Sequence, residues 1–176
     1  MKKLKLEELG RISVDEFKVA EKSNICILLD NIRSLHNVGS AFRTADAFRV
    51  EKLYLTGITG TPPHREIQKT ALGATESVNW EYIKNPAEAV IRIKEEGYTI
   101  ILIEQTTEST PLQDFQPSSS QKYCLVFGNE VNGVSEEVIA QGDLALEIPQ
   151  SGTKHSLNVS VCLGIVVWEI FKKLRL

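Results

Sequence analysis

A polar, turn-rich loop, Ile148-Pro149-Gln150-Ser151-Gly152-Thr153-Lys154-His155-Ser156-Leu157-Asn158, runs directly into a long apolar segment, Val159 to Phe171. A helix that is apolar nearly all round is expected to be buried. Ser156 and Asn158 stand at its mouth, and both need hydrogen-bond partners once they leave water. Such a cluster can hold a small molecule or position a reacting group. Two other segments carry similar chemistry: Asn31 to Ala45, with Asn37, Gly39, Arg43 and Thr44, and Gly128 to Ser135, with Asn129, Glu130 and Gly133. Taken singly, each has a plain structural reading. Gly128 suits a tight turn, and Asn37 and Ser156 suit helix caps. Taken together, they supply amides, hydroxyls, one carboxylate and one guanidinium.

The elements that must position these segments alternate along the chain. Ile25 to Leu29, Tyr98 to Ile103 and Tyr123 to Phe127 are solid apolar runs of strand length. Such runs are typical of parallel strands covered on both faces. Leu53 to Leu55, Val78 to Tyr82 and Leu144 to Leu146 are shorter candidates. Helices are expected between them. One is capped by Asn37, with Val38, Ala41, Phe42, Ala45 and Phe48 on one face; the others cover Ala87 to Glu96, Val134 to Ala140 and the C-terminal segment. Alternating strands and helices predict an α/β domain with a mainly parallel sheet and helices on both faces. In open sheets of this class, ligands bind beyond the carboxyl ends of the strands. All three polar segments fall there. Gly57 to Gln68 and Thr107 to Gln121 read as the two long loops.

The chain has 176 residues, enough for one domain with a sizeable core. Residues 1–22, with a weak helical rhythm at Leu4, Leu6, Leu9 and Ile12, read as an appended helical arm; 23–176 form the domain. The net charge of −3 gives no global nucleic-acid signal. Local charge still matters: Arg33, Arg43, Arg49 and Lys52 outnumber Asp46 and Glu51 around the first polar segment, and the basic chain ends read equally as solvated tails or as phosphate contacts. Cys26, Cys124 and Cys162 lie in apolar runs, without metal spacing, and read as reduced core residues. No metal is expected. Met1-Lys2-Lys3-Leu4-Lys5 leads into charged residues, so no secretory leader is expected, and the longest apolar run is too short to span a bilayer. A cytoplasmic protein without membrane contact is the expectation.

In their order along the chain, the three polar segments resemble the motifs of the SpoU (TrmH-like) branch of the SPOUT RNA methyltransferases. Asn37, Gly39, Arg43, Thr44 and Ala45 match the first motif. Gly128, Asn129, Glu130 and Gly133 match the second. Ile148-Pro149, then Ser156 through Ser160, match the third. The similarity spans Ile25 to Leu174. It implies transfer of a methyl group from S-adenosylmethionine to a ribose 2′-hydroxyl. It also implies a trefoil knot near the C-terminus and a homodimer; the apolar band of Val161, Ile165, Trp168 and Phe171 suits such an interface and equally an ordinary core. The departure is Val131-Asn132, in place of a glycine-rich pair, and no added N-terminal RNA-binding domain is expected.

By the same resemblance, Gly128, Ile148, Pro149 and Leu157 would surround the cofactor; Gln105 and Thr106, by their place after the fourth strand, are expected at the same edge. Arg43, Asn37, Glu130, Ser156 and Asn158 would form the catalytic shell. Arg43 is the family's base; a guanidinium resists deprotonation, so holding a developing alkoxide or an RNA phosphate is the easier role. Asp46, one turn on, could orient Arg43. Arg33, Arg65 and Lys154 are candidates for RNA contact. The expected substrate is tRNA, with rRNA as the alternative. Two other readings are a catalytically silent RNA-binding protein and a flavodoxin-like phosphate binder. The retained Arg43, Glu130 and Asn158 oppose the first. The sparse glycine and hydroxyl content of Asn31-Ile32-Arg33 opposes the second.

Overall fold

The computed structural model describes residues 1–176, the side chain of Leu6 excepted. Seven strands form one sheet: β1 Ser23–Asp30, β2 Val50–Thr56, β3 Trp80–Ile83, β4 Tyr98–Ile103, β5 Thr110–Pro111, β6 Lys122–Phe127 and β7 Leu144–Glu147. Their spatial order is β3-β2-β1-β6-β4-β7-β5, and every pairing is parallel. Seven helices accompany them: α1 Val14–Val19, α2 Leu35–Ala47, α3 Arg65–Ala71, α4 Ala74–Ser77, α5 Pro86–Glu95, α6 Glu136–Ile139 and α7 Val159–Arg175.

The solid apolar runs become the central strands because they are covered twice. Ile25, Ile27 and Leu29 of β1 pack with Val38 and Phe42 of α2 and with Leu163, Val166 and Val167 of α7. Cys26 and Leu28, on the opposite face, pack with Val90 and Ile93 of α5 and Val138 of α6. Strand alternation thus divides one apolar run between two cores. The register also fixes the sheet edge. Leu29 pairs with Phe127, Phe127 with Ile103, and Ile103 with Leu146. The loops after β1, β6, β4 and β7 therefore leave the sheet side by side.

Several boundaries differ from the sequence expectation, each for a physical reason. α2 is capped by Ser34, not Asn37; the Ser34 hydroxyl accepts from the Asn37 backbone N–H at 3.3 Å. This leaves the Asn37 amide available for other partners. The loop after β4 contains β5, too short to show any periodicity. Buried Leu112 follows it and donates its N–H to the Glu147 carbonyl at 2.8 Å. The loop after β2 ends in α3, with α4 behind it. Gly39 is the point where α3 crosses α2: a Cβ there would strike the Thr70 side chain and the Ile67 carbonyl. The arm folds as a 3-10 turn, Leu6–Leu9, followed by α1, capped by Ser13 and anchored by buried Phe17. Leu4, Leu9 and Ile12 are exposed.

The expectation for α7 requires the largest correction. Leu163, Val166, Val167 and Ile170 are buried, but Val161, Ile165 and Trp168 are 51%, 40% and 44% exposed. Their spacing puts them on one face. The helix is thus apolar on a side that its own chain does not cover. No helix is long and apolar enough to cross a membrane.

Candidate active site

The polar residues that leave the carboxyl edge of the sheet are tied together by direct hydrogen bonds. Glu130, after β6, accepts from the backbone N–H of Arg33 and of Ser34, each at 2.9 Å, and from the Asn37 side-chain amide at 3.0 Å. Partial burial of this carboxyl opposes its charge, but the two backbone N–H groups and the amide outweigh it. They hold Glu130 below the ordinary carboxylate range. The other end of the Asn37 amide accepts from Asn158 at 3.3 Å. Asn158 in turn caps α7, its oxygen accepting from the Ser160 N–H at 2.9 Å. Asn37 therefore links all three polar segments.

These loops surround a cleft of about 680 Å³. Its apolar wall comes from Ile103, Phe127, Leu146, Ile148 and Leu157, and its polar rim from Gln105, Thr106, Glu130, Ser156 and Asn158. The floor is backbone. A Cβ on Gly128 would collide with the peptide between Gly133 and Val134. That hairpin is closed by reciprocal bonds between Asn129 and Gly133, each 2.9 Å. Gln105 donates to the His155 carbonyl at 2.9 Å, fastening the long loop across the end of β4. Cys162 also lines the cleft. Burial, reinforced by the nearby Glu104 charge, pushes its thiol up to about 11, so it is not a thiolate at neutral pH.

Of the residues singled out in the sequence, Gln105, Thr106, Gly128, Glu130, Ile148, Ser156, Leu157 and Asn158 line the cleft. Asn37 lies behind its rim, bonded to two lining residues. Pro149 falls outside the cleft and is exposed, because its neighbour Ile148 occupies the inward position. Arg43 is also outside, exposed on α2, and its guanidinium makes no hydrogen bond or ion pair among the described residues. Asp46 does not orient it; its carboxylate accepts from the Ser77 hydroxyl instead. Arg33, Arg65 and Lys154 are exposed and likewise form no side-chain ion pair among the described residues.

The sequence reading missed three residues. Asp30, fully buried, accepts from the Ser135 N–H and the Asn31 amide, both at 2.7 Å. Asn31, at φ 56°, accepts from the Ile58 N–H with its side chain (3.1 Å) and from the Asn129 amide with its carbonyl (2.6 Å). Glu104 enters the cleft wall directly after β4. The available signal was an Asp-Asn pair and a lone Glu, each terminating a solid apolar strand.

A test follows from the Glu130 contacts. Replacing Glu130 by alanine removes three accepted bonds at a partly exposed site and is expected to cost about 1–2 kcal/mol. Because the folded carboxyl sits below its ordinary value, its contribution is complete at neutral pH. It disappears only as acid takes the pH down through the folded value. Thermal melts of both proteins from pH 7 to pH 3 measure this. A difference between them that does not narrow in acid contradicts the assignment.

The profile of the SpoU rRNA Methylase family matches residues 24–168. A Bacillus subtilis protein, putative TrmH family tRNA/rRNA methyltransferase YacO, is 29% identical over 168 residues. They cover 90% of this chain and 64% of that protein, so the chain spans just under two thirds of its relative's length. An Aquifex aeolicus tRNA (guanosine(18)-2'-O)-methyltransferase is 32% identical over 160 residues, 86% of this chain and 72% of that protein. The crystal structure of an AdoMet-bound rRNA methyltransferase from Sinorhizobium meliloti superposes with a TM-score of 0.79 at 25% identity, covering 88% of this chain and 58% of the other. The parallel sheet, the three joined loops and the match over 24–168 lead to one assignment: the chain belongs to the SpoU rRNA methylase family.

Proposed function

We propose that this protein transfers a methyl group from S-adenosylmethionine to a ribose 2′-hydroxyl of RNA, with tRNA as the substrate. The observation that carries this reading is the convergence of the three motif loops on one cleft through Asn37. The names of the Aquifex and Sinorhizobium relatives support the reaction and the cofactor. So does the fit of the site. The cleft has the volume of a small-ligand pocket, an apolar wall for a nucleobase, and a hairpin that packs onto residue 128 only because that residue lacks a side chain. When bound, the cofactor supplies an electrophilic methyl on sulfur; the protein must bind it, orient it and exclude water.

In this reading, Gly128, Ile148 and Leu157 hold the adenosine, with Gln105 and Thr106 at the rim. Ser156 faces the incoming ribose, beside Asn158, whose amide is engaged by Asn37 and Ser160. Glu130 and Asn37 act as positioning residues, since their polar atoms are already engaged in joining the loops. Arg43, outside the cleft, meets the RNA and stabilises the ribose oxygen, whose proton would pass to solvent as the O–CH3 bond forms, the S–CH3 bond breaks and the neutral thioether leaves. Arg33, Arg65 and Lys154 contact phosphates, and the arm of residues 1–22, appended to the 23–176 domain, adds to RNA recognition. The reading also includes a trefoil knot made by the 148–158 loop, which passes the end of β4 before α7 returns to α2. It places the activity in the cytoplasm, in keeping with three free cysteines.

We further propose a homodimer that covers Val161, Ile165 and Trp168. Sedimentation should give twice the 19.6 kDa chain mass. Ile165→Glu, which puts a charge on the exposed stripe, should halve it. A wild-type protein that sediments as a monomer removes this part of the proposal.

The reaction is tested by incubating the protein with methyl-labelled cofactor and total cellular RNA, then mapping the labelled product with nucleases. The expected label lies on a ribose in tRNA. Label in rRNA changes the substrate but not the reaction, whereas label on a base, or none, rejects the reading.

A further inference from the structure

Glu104, in the cleft wall, is clamped by the protein on both oxygens without a cation, as Glu130 is. One oxygen accepts from the Val134 N–H at 3.0 Å and the other from the Gln105 N–H at 2.9 Å. Gly133 packs against it so closely that a Cβ would strike the carboxylate. It forms no ion pair among the described residues, and its remaining lone pairs are available to the cleft. The surroundings do not neutralise it. Glu130 and Glu147 also line the cleft, while no lysine or arginine does. Glu130 is committed to the start of α2. Glu104 thus provides a negative charge that is fixed in place before any ligand arrives.

We propose that Glu104 determines the charge preference of this site: it favours the sulfonium cofactor over its neutral thioether product. This rests on the methyl-transfer reading above. Cofactor and product share adenine, ribose and amino-acid groups, and differ by one methyl and one positive charge. Contacts to the shared groups cannot separate them. A fixed carboxylate can, because its attraction to the sulfonium disappears when that charge does. One such pair across a partly shielded site is worth about tenfold in affinity. The preference assists turnover, since a product held less tightly than the cofactor is displaced by it.

Calorimetry with three probes tests the proposal: S-adenosylmethionine, S-adenosylhomocysteine, and sinefungin, which carries a protonated amine in place of the methylated sulfur. The wild-type protein should bind the two cations about tenfold more tightly than the thioether. Glu104→Gln should erase that ratio, whatever the loss of one of the two accepted N–H bonds does to all three affinities alike, and Glu104→Asp, which keeps the charge, should retain it. Equal weakening of all three probes by Glu104→Gln overturns the proposal, because Glu104 would then serve a group that they share. A wild-type protein without preference overturns it too, and decides the matter if the glutamine variant does not fold. Failure of the methyl-transfer reading looks different, with none of the three probes binding the wild-type protein.

Discussion

Arg43→Ala is expected to lower the rate of methyl transfer to RNA by roughly 100- to 1,000-fold, the usual cost of removing one donor that stabilises developing negative charge. The same variant should bind cofactor as the wild type does, because Arg43 does not line the cleft. Its stability should change by no more than about 0.5 kcal/mol, since the exposed side chain makes no hydrogen bond or ion pair among the described residues. The placement explains this separation. Arg43 lies six residues beyond Asn37 on α2, about 9 Å along the helix axis. It is therefore out of line with the cofactor but within range of something larger laid across the rim. Arg43→Lys keeps the charge and loses the planar fork, so it should recover only part of the rate. Initial rates, calorimetry and a thermal melt on the same preparations make the comparison. A variant that transfers at the wild-type rate removes Arg43 from the reaction.

The sheet was legible because its central strands are solid apolar runs, and such runs need cover on both faces. Ile25 to Leu29 is split between two cores as that pattern requires. The family motifs were legible because their spacing is unusual even when each residue is ordinary. What escaped has a common cause. Asn37 has the chemistry of a helix cap, and only Ser34, three residues earlier, turns it into a bridge between loops. Glu104 contacts backbone amides of Gln105 and Val134, and a backbone amide leaves no trace in residue identity. β5 spans only Thr110–Pro111 and shows no period. In α7, uniform apolarity reads as burial but does not say by what; Val161, Ile165 and Trp168 remain open on the single chain.

Gly128 is expected to be the most sensitive position for cofactor binding. A side chain there meets the peptide joining Gly133 to Val134, and backbone cannot move aside by changing rotamer. That peptide is held at both ends, its carbonyl accepting from the Asn129 N–H and its N–H donating to Glu104. Gly128→Val must therefore open the hairpin and withdraw the floor of the cleft. Overpacking of this kind costs about 1–3 kcal/mol. For a chain of this size, that corresponds to a fall in melting temperature of roughly 2–12 °C. Cofactor affinity should drop by at least about 100-fold, because the floor contributes the close contacts that the rim cannot replace. Gly152→Ala is the control. It lies on the neighbouring loop, and an added Cβ meets no other atom, so affinity and melting temperature should stay near wild type. Unchanged calorimetric affinity in Gly128→Val places the cofactor elsewhere. Loss of binding here, set beside retained binding in Arg43→Ala, separates the residues that hold the methyl donor from the one that serves its acceptor.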